Sequence, residues 1–308
     1  MAIPTERLAG DRVLVTGGAG FIGGHLARTL APHADVTVLD RDTSGDAVPG
    51  NATAVEADVR DAGAVAAATT GVDVVFHQAG MVGVPASVDD PVESHAINAT
   101  GTLNVLEAAR EADAAVVVAS SAAVYGRPEY TPIDEGHPLD PTSPYGLDKL
   151  AADHYVRLYA DLYGLDAVAL RYFNVYGPGQ TGGGYAGVID VFRDQASRDA
   201  DITVEGDGTQ TRDFVHVDDV VRANLRAATA DASGRSYNVG TGEAVTIRRL
   251  AERVRDALDA DSDIVHTDPV AGDIDESVAD VSRARAELGY EPTVELGEGL
   301  ADLVGGRA

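Results

Sequence analysis

A glycine-rich turn after a buried-strand pattern is the feature that most restricts how this chain folds. The apolar run Arg12–Thr16 leads into the turn Gly17–Gly23, of sequence Gly-Gly-Ala-Gly-Phe-Ile-Gly, which opens a helix. Glycines allow a tight turn and let backbone N–H groups approach a pyrophosphate at the positive helix N-terminus. Asp40 closes the next strand pattern, where a carboxylate binds ribose hydroxyls and repels a 2′-phosphate. The pattern predicts a dinucleotide site that prefers NAD to NADP, although Arg41 softens that preference.

Alternating strand and helix patterns extend this turn into an α/β fold. Strands buried on both faces appear as continuous apolar runs, typical of a parallel sheet covered by helices. We predict a doubly wound Rossmann domain over residues 1–175 and a smaller α/β substrate lobe over 176–308, interleaved with late strands of the main sheet near 214–240. The predicted strands are Arg12–Thr16, Asp35–Leu39, Thr53–Glu56, Val74–His77, Ala115–Ala119 and Ala167–Tyr172. The predicted helices are Gly20–Leu30, Ala62–Thr69, Pro91–Glu111, Pro144–Tyr163 and Val188–Ala196.

Composition excludes several classes of protein. The chain has no cysteine, which removes disulfides and thiolate chemistry, and its eight histidines follow no metal-binding spacing. A net charge of −27 argues against binding to nucleic acid or to an anionic membrane. No apolar run approaches the roughly 20 residues of a membrane span, and no signal pattern precedes the first strand, so we expect a cytoplasmic protein. The many acidic residues and the single lysine indicate a protein adapted to high salt, where screening suppresses self-repulsion.

A tyrosine and the only lysine of the chain form a candidate proton-transfer pair. Ser143 has the position of a helix N-cap and Pro144 that of the first helical residue. Tyr145 and Lys149 then lie four residues apart, on one helix face. An ammonium beside a phenol favours the phenolate, so we expect Lys149 to lower the pKa of Tyr145. The pair predicts a base that removes a proton from a hydroxyl.

Other polar residues follow predicted strands at the edge where ligands bind in such sheets. Ser120 and Ser121 follow the fifth strand, residues 77–80 end the fourth, and Asp58 and Val59 follow the third, in a position to contact adenine. No Gly-x-Ser-x-Gly motif surrounds Ser121, which excludes a hydrolase nucleophile, and no phosphate-binding loop of the P-loop type is present.

These motifs together resemble the nucleotide-sugar epimerase/dehydratase family of extended short-chain dehydrogenases, and within it the UDP-glucose 4-epimerases. The likeness runs in order from about residue 12 to residue 296. Besides the glycine turn, Asp40, Asp58-Val59 and the Tyr145–Lys149 pair, the segments that carry it are residues 121–126, 171–178 and 212–220.

The resemblance implies roles for individual residues, with NAD as cofactor and a UDP-sugar or related nucleotide sugar as substrate. The implied catalytic residues are Ser121, Tyr145 and Lys149. The implied cofactor-binding residues are Gly17, Gly20, Phe21, Ile22, Gly23, Asp40, Asp58, Val59, Ala79, Gly80, Tyr145, Lys149 and Phe173. The implied substrate-binding residues are Ser121, Asn174, Val188, Arg212, Asp273 and Ser277. The resemblance also implies a homodimer that pairs the helices Pro91–Glu111 and Pro144–Tyr163 in a four-helix bundle.

Three positions bear on which reaction of the family the chain performs. Val270 stands where the family usually has an arginine for the diphosphate, which leaves the nucleotide preference open. Ala122 and Ala123 replace the Asp-Glu pair with which the 4,6-dehydratases eliminate water, so dehydration is not expected. Ser277 is small where the 4-epimerases control the room around the sugar's 2-substituent, which resembles the forms that admit N-acetylhexosamines.

The resemblance therefore implies a 4-epimerase. Tyr145, assisted by Ser121, takes the proton of the sugar 4-hydroxyl while hydride moves from C4 to NAD; the 4-keto sugar then rotates and hydride returns to its other face. Three alternatives stay open at this point. They are an epimerase or decarboxylase acting on UDP-glucuronate, a net reductase or dehydrogenase, and a non-catalytic NAD-binding module.

Overall fold

The protein folds around a seven-stranded parallel sheet with helices on both faces, in a computed structural model that describes residues 5–44, 48–180, 187–269 and 274–305. The strand order is β11-β6-β5-β4-β1-β2-β3. These strands are β1 (Arg12–Thr16), β2 (Asp35–Asp40), β3 (Thr53–Glu56), β4 (Val74–His77), β5 (Ala115–Ser121), β6 (Ala167–Tyr172) and β11 (Ser236–Val239). The predicted doubly wound α/β fold is confirmed.

Helices cover the sheet and connect its strands. They are α1 (Phe21–Leu30), α2 (Ala62–Thr69), α3 (Val84–Asp89), α4 (Pro91–His95), α5 (Gly101–Ala112), α6 (Pro144–Tyr163), α7 (Val188–Ala196), α8 (Val217–Ala227), α9 (Ile247–Leu258) and α10 (Leu296–Gly305). Strand β4 is buried along its whole length, and separate apolar clusters lie on the two faces of the sheet. This double burial explains why the strands have continuous apolar sequences.

The order of the strands locates a ligand site. The chain passes from β1 outward to β2 and β3 and then returns to β4 on the other side of β1. Such a reversal opens a crevice at the carboxyl ends of the strands, between β1 and β4. The glycine turn after β1 and residues 78–80 after β4 meet there.

The predicted helix Pro91–Glu111 is interrupted in the structure. A wider π-helical turn, Ala96–Thr100, separates α4 from α5. Within it, the side chain of Asn98 donates to the Met81 carbonyl and accepts from the Met81 N–H, each at 3.0 Å. Turns of this kind commonly occur at functional sites. Periodicity alone does not reveal the interruption, because the apolar spacing continues through it.

The second lobe is built from short strands and three helices. Its strands are β7 (Asn174–Tyr176), β8 (Ile202–Glu205), β9 (Thr211–Arg212), β10 (Phe214–His216), β12 (Val245–Thr246), β13 (Ile264–Thr267) and β14 (Glu276–Ser277). Helices α7, α9 and α10 contribute to its apolar core. Of the two strands between residues 214 and 240, β11 extends the main sheet, whereas β10 pairs with β7 outside it. In the described part of the chain, no helix is long and apolar enough to cross a membrane.

Candidate active site

One large cavity lies at the carboxyl edge of the sheet and extends under the second lobe. Its volume is about 1020 Å³. Residues from both parts of the chain line it, from the glycine turn at one end to Arg212 and Ser277 at the other. The predicted cofactor and substrate residues are therefore brought together by the fold, with the exceptions given below.

The glycine turn forms the cavity wall after β1. Gly17 has a φ of +68°, and an ideal Cβ on Gly23 would lie 2.1 Å from the Gly17 carbonyl oxygen. Side chains at these positions would therefore prevent the turn from closing against α1. Gly20 is the N-cap of α1, so the first N–H groups of the helix have no acceptor within the helix. This end of α1 is suited to an anionic pyrophosphate.

Asp40 is fixed at the end of β2 by backbone donors. Its Oδ2 accepts from the Ala19 N–H at 3.0 Å and its Oδ1 from the Arg41 N–H at 2.7 Å. The carboxylate borders the cavity beside the glycine turn, as binding of a ribose requires. Asp58 and Val59 line the same end, where Arg60 donates to Asp58 and holds the pKa of its carboxyl below the usual range.

The three candidate catalytic residues lie on one wall. Ser121 ends β5 and is the N-cap of a 3₁₀ turn, Ala122–Tyr125, where its Oγ accepts from the Ala123 N–H at 3.2 Å. Tyr145 lies in the first turn of α6, whose N-cap Ser143 and first residue Pro144 are those predicted. Ser121 lies close enough to the Tyr145 phenol to oppose the increase in its pKa that burial causes. This places a hydroxyl and a phenol side by side at the cavity.

Helix α6 approaches the Ser121 turn closely because Gly146 has no side chain. An ideal Cβ on Gly146 would lie 2.6 Å from the Ala123 carbonyl oxygen. The Oγ atom of Ser143 accepts from the Gly146 N–H at 3.1 Å. Sequence patterns do not single out this glycine, since it falls within a helix pattern.

Lys149 is buried beneath the cavity with 6% of its surface exposed. Its Nζ donates to the Ala119 carbonyl at 2.9 Å and lies 6.0 Å from the centroid of the Tyr145 ring. Burial lowers the pKa of the ammonium to about 8, and the nearby charge of Asp148 opposes that change. The sequence-based expectation of a lowered pKa for Tyr145 is wrong for this structure. Burial raises the pKa of the phenol, and Ser121 opposes the increase.

The second lobe supplies the far end of the cavity. Arg212 Nη1 donates to the carbonyls of Thr211 and Ile274, both at 2.8 Å. Ser277 is paired with Arg212 between strands β14 and β9, and both residues line the cavity.

Asn174 lies between the two ends of the cavity, and its side chain donates to the Asp213 carbonyl at 2.9 Å. Asp213 itself is fully buried and accepts hydrogen bonds from Thr241.

Two predicted substrate residues are not seen at the cavity. Val188 begins α7 and packs against the apolar core of the second lobe, and it is not among the residues that line the cavity. The position of Val188 follows from the amphipathic character of α7, which turns its apolar side toward that core. Asp273 lies outside the described residues, as do Gly272 and the unusual Val270.

The cavity also includes residues that received no individual role in the sequence analysis. Gln78, expected at the ligand edge as part of residues 77–80, follows β4, and its Nε2 donates to the Tyr172 hydroxyl at 3.2 Å and to the buried Asn224 Oδ1 at 3.0 Å. The rule that ligands bind at strand ends indicates Gln78, since it directly follows β4. Val82, Pro85 and Gln180 also line the cavity. They lie in segments whose sequence patterns contain no recognisable motif.

The residues at the cavity fit NAD. The first N–H groups of α1 suit its pyrophosphate, the Asp40 carboxylate suits a ribose, and the buried ring of Phe173 offers an apolar surface. No group of three or more His, Asp or Glu side chains suited to a metal ion occurs among residues 5–44, 48–180, 187–269 and 274–305.

Known proteins share this fold and sequence over almost the whole chain. The UDP-glucose 4-epimerase of Mycolicibacterium smegmatis is 39% identical over 304 residues, covering 95% of this chain and 97% of that protein. The UDP-N-acetylglucosamine 4-epimerase of Methanobrevibacter ruminantium, solved with UDP-N-acetylmuramic acid, gives a TM-score of 0.92 at 34% identity, covering 96% and 98% of the two chains. The UDP-glucose 4-epimerase of Thermus thermophilus, solved with NAD, gives 0.87 at 37% identity, covering 96% and 100%.

Residues 13–240 also match the NAD dependent epimerase/dehydratase family. The resemblance drawn from the sequence motifs and the prediction of NAD as cofactor are thereby confirmed. This chain is an NAD-dependent enzyme that belongs to the epimerase/dehydratase family.

Proposed function

We propose that the protein is a 4-epimerase of UDP-hexoses, acting on UDP-glucose and UDP-galactose. The observation that carries this proposal is the wall formed by Ser121, Tyr145 and Lys149, which continues into the uncharged residues Ala122 and Ala123. Among the described residues that line the cavity, the wall offers one group to remove a proton and no carboxyl group beside it to expel water. A reversible oxidation at one carbon needs a group that removes a proton, but it needs no group that expels water.

Individual residues of the chain have separate roles in the proposed reaction. The glycine turn and Asp40 would hold NAD, which would supply a hydride acceptor for C4 of the sugar and allow the hydride to return, so that no net oxidation occurs. In its phenolate form Tyr145 would take the proton from the 4-hydroxyl and return it, and Ser121, which lowers the pKa of this phenol, favours that form. Lys149 supplies a buried positive charge on the same wall, one helical turn beyond Tyr145.

The charges around the cavity disfavour dehydration. In the described part of the chain, the carboxylates on its lining are Asp40 and Asp58. Asp40 ends β2 and Ser121 ends β5, three steps apart in the sheet, which is about 14 Å at the usual strand spacing. Both carboxylates therefore stand at the cofactor end. The described lining therefore provides no carboxyl group at the sugar end to act as the acid or base of an elimination.

We further propose that Asn174, Arg212 and Ser277 contact the nucleotide sugar, with Arg212 on the diphosphate. A planar guanidinium binds phosphate oxygens with two parallel hydrogen bonds. The small Ser277, paired with Arg212, leaves room at the sugar for a 2-acetamido group. UDP-N-acetylhexosamines are therefore the second candidate substrates.

We also propose a homodimer that covers an apolar stripe on α6. Leu147, Leu158 and Leu162 are 59%, 42% and 67% exposed and lie on one face of this helix. Val92 of α4, a helix that packs against α6, is 78% exposed. Molar mass by light scattering is expected to give twice the chain mass. Leu158→Asp combined with Leu162→Asp is expected to yield monomers, and an unchanged mass would contradict the arrangement. The cytoplasmic location expected from the sequence stays a prediction.

A panel of substrates tests the proposed reaction. The enzyme with NAD is incubated separately with UDP-glucose deuterated at C4, UDP-N-acetylglucosamine and UDP-glucuronate, and the products are separated. UDP-galactose that keeps the deuterium is expected. Stoichiometric NADH would indicate a net dehydrogenase, and carbon dioxide from UDP-glucuronate a decarboxylase. Binding of NAD with no product from any sugar would support the non-catalytic alternative.

A further inference from the structure

Directly before the only lysine of the chain lies a buried aspartate that the proposed mechanism does not use. Asp148 is 3% exposed, and each of its oxygens has a partner on α4. Oδ2 accepts from the Ser94 hydroxyl at 2.6 Å, and Oδ1 bonds to His95 Nδ1 at 2.9 Å. A buried carboxylate is unfavourable unless such bonds compensate it. Asp148 therefore ties α4 to the helix that carries Tyr145 and Lys149.

These contacts continue from Ser94 to the wall of the cavity. Asn98 Nδ2 donates to Ser94 Oγ at 3.3 Å, and the same side chain bonds both backbone groups of Met81. Gly80, just before Met81, separates this group from the ammonium. An ideal Cβ on Gly80 would lie 2.9 Å from Asn98 Oδ1 and 3.3 Å from Lys149 Nζ. A connected set of bonds thus runs from Asp148 to the segment against which Lys149 packs.

Among the titratable groups around Lys149, Asp148 is the one whose charge favours the protonated form of the lysine. His77 on β4 is fully buried, and its pKa of about 3 keeps it uncharged. In the protein without NAD, burial raises the pKa of Tyr145 on α6 and so favours its neutral phenol form. Asp153, one turn beyond Lys149, is held by a two-point ion pair with Arg171 at 2.8 and 2.9 Å. His95 contacts the Asp148 carboxylate itself.

We propose that Asp148, held by Ser94 and His95, is a positioning residue that keeps Lys149 protonated and packed against the cavity wall at Gly80 and Met81. A catalytic use of the Lys149 charge rests on the proposed function. The charge itself can be measured without any enzyme turnover. Loss of the Asp148 carboxylate would remove a nearby negative charge from the buried ammonium, and the pKa of Lys149 would therefore fall.

Because Lys149 is the only lysine, isotope labelling of lysine gives one side-chain NMR signal for this test. The full-length protein is labelled at lysine Cε and titrated, before and after saturation with NAD. The wild-type midpoint before NAD is expected near 8. Asp148→Asn is expected to lower the midpoint by about 1 pH unit, and the alkaline limb of kcat by the same amount. Asp161→Asn, an exposed change of equal charge on the same helix, is the matched control.

A midpoint in Asp148→Asn equal to that of Asp161→Asn would overturn the proposal. If Asp148→Asn does not fold, Asp148→Ser replaces it with the same expected decrease, and Asp148→Glu, which keeps the charge, is expected to stay near the wild type. A purely structural Asp148 would change the melting temperature and leave the lysine midpoint in place. If the midpoint falls as expected but no nucleotide sugar is converted by the wild type, the proposed function fails and this inference stands.

Discussion

Lys149 Nζ lies 6.0 Å from the centre of the Tyr145 ring and donates instead to the Ala119 carbonyl at 2.9 Å. The two residues share a helix face, as their spacing predicts, yet the ammonium is directed to the end of β5 rather than to the phenol. The pKa of Tyr145 is therefore governed by its burial and by Ser121.

Tyr145→Phe removes the proposed base and keeps the ring. We expect kcat to fall by at least about 100-fold, since general bases contribute that much or more. NAD affinity, measured by calorimetry, is expected to remain close to that of the wild type. Tyr163→Phe, an exposed change on the same helix, serves as the control. Wild-type turnover by Tyr145→Phe would refute the role of the phenol.

Ser121→Ala removes the hydroxyl that lowers the pKa of Tyr145. The phenol then has a higher pKa, and a base acts only above its pKa, so the acid limb of kcat is expected to move to higher pH. Each unit of movement costs about tenfold in rate on that limb. The pH profile of kcat with saturating NAD and substrate measures this movement of the acid limb. A lower kcat with the limb unmoved would show that Ser121 does not act through Tyr145.

Gly146→Ala tests the close approach of α6 to the Ser121 turn. The new methyl group would meet the Ala123 carbonyl at 2.6 Å, so helix or turn must move. We expect a loss of about 1–3 kcal/mol in the free energy of unfolding, typical of overpacking, together with lower kcat. Gly297→Ala is the control, because an ideal Cβ on this exposed glycine of α10 meets no atom within 4 Å. Equal effects of the two changes would rule out the packing argument.

His77 links stability to pH. It is fully buried between the Thr16 and Thr102 hydroxyls, at 2.7 and 3.0 Å, and burial lowers its pKa from 6.5 to about 3. The unfolded chain thus binds a proton below pH 6.5 that the folded protein does not, so stability is lost as pH falls from 6.5 toward 3, by at most about 1.4 kcal/mol per pH unit.

Urea unfolding at about pH 7 and about pH 5 measures this effect. The decrease in unfolding free energy between the two is expected to be smaller in His77→Asn than in the wild type. His33→Asn, at an exposed position, is expected to behave like the wild type. An equal decrease in all three proteins would exclude a contribution from His77.

The charge of −27 predicts a stability that depends on salt. Screening shortens the range of surface repulsion to about 3 Å at 1 M salt, so the melting temperature near neutral pH is expected to rise with KCl and to level off near that concentration. At about pH 4, where many carboxylates are protonated, the rise is expected to be smaller. An equal rise at both pH values would show that repulsion between carboxylates is not its cause.

Local signals allowed much of the cofactor half to be predicted. The glycine turn, Asp40 and the start of α6 at Ser143 follow from neighbouring residues, because capping and tight turns are decided within a few positions. Helix α6 has the predicted bounds, and β5 extends two residues further, to Ser121. The π-helical turn at Ala96–Thr100 was missed because the Asn98–Met81 bonds that accompany it join segments 17 residues apart.

The sequence alone determined the fold class, the dinucleotide preference and the identity of the Tyr145–Lys149 pair, since each depends on spacing along one segment. Tertiary structure decided where Lys149 points, that Val188 packs away from the cavity, and that Ser277 stands beside Arg212. It also placed Asp148 against Ser94 and His95, more than 50 residues away in the chain. Contacts between distant segments depend on how helices and lobes pack, and burial then sets the pKa values that a sequence pattern does not contain.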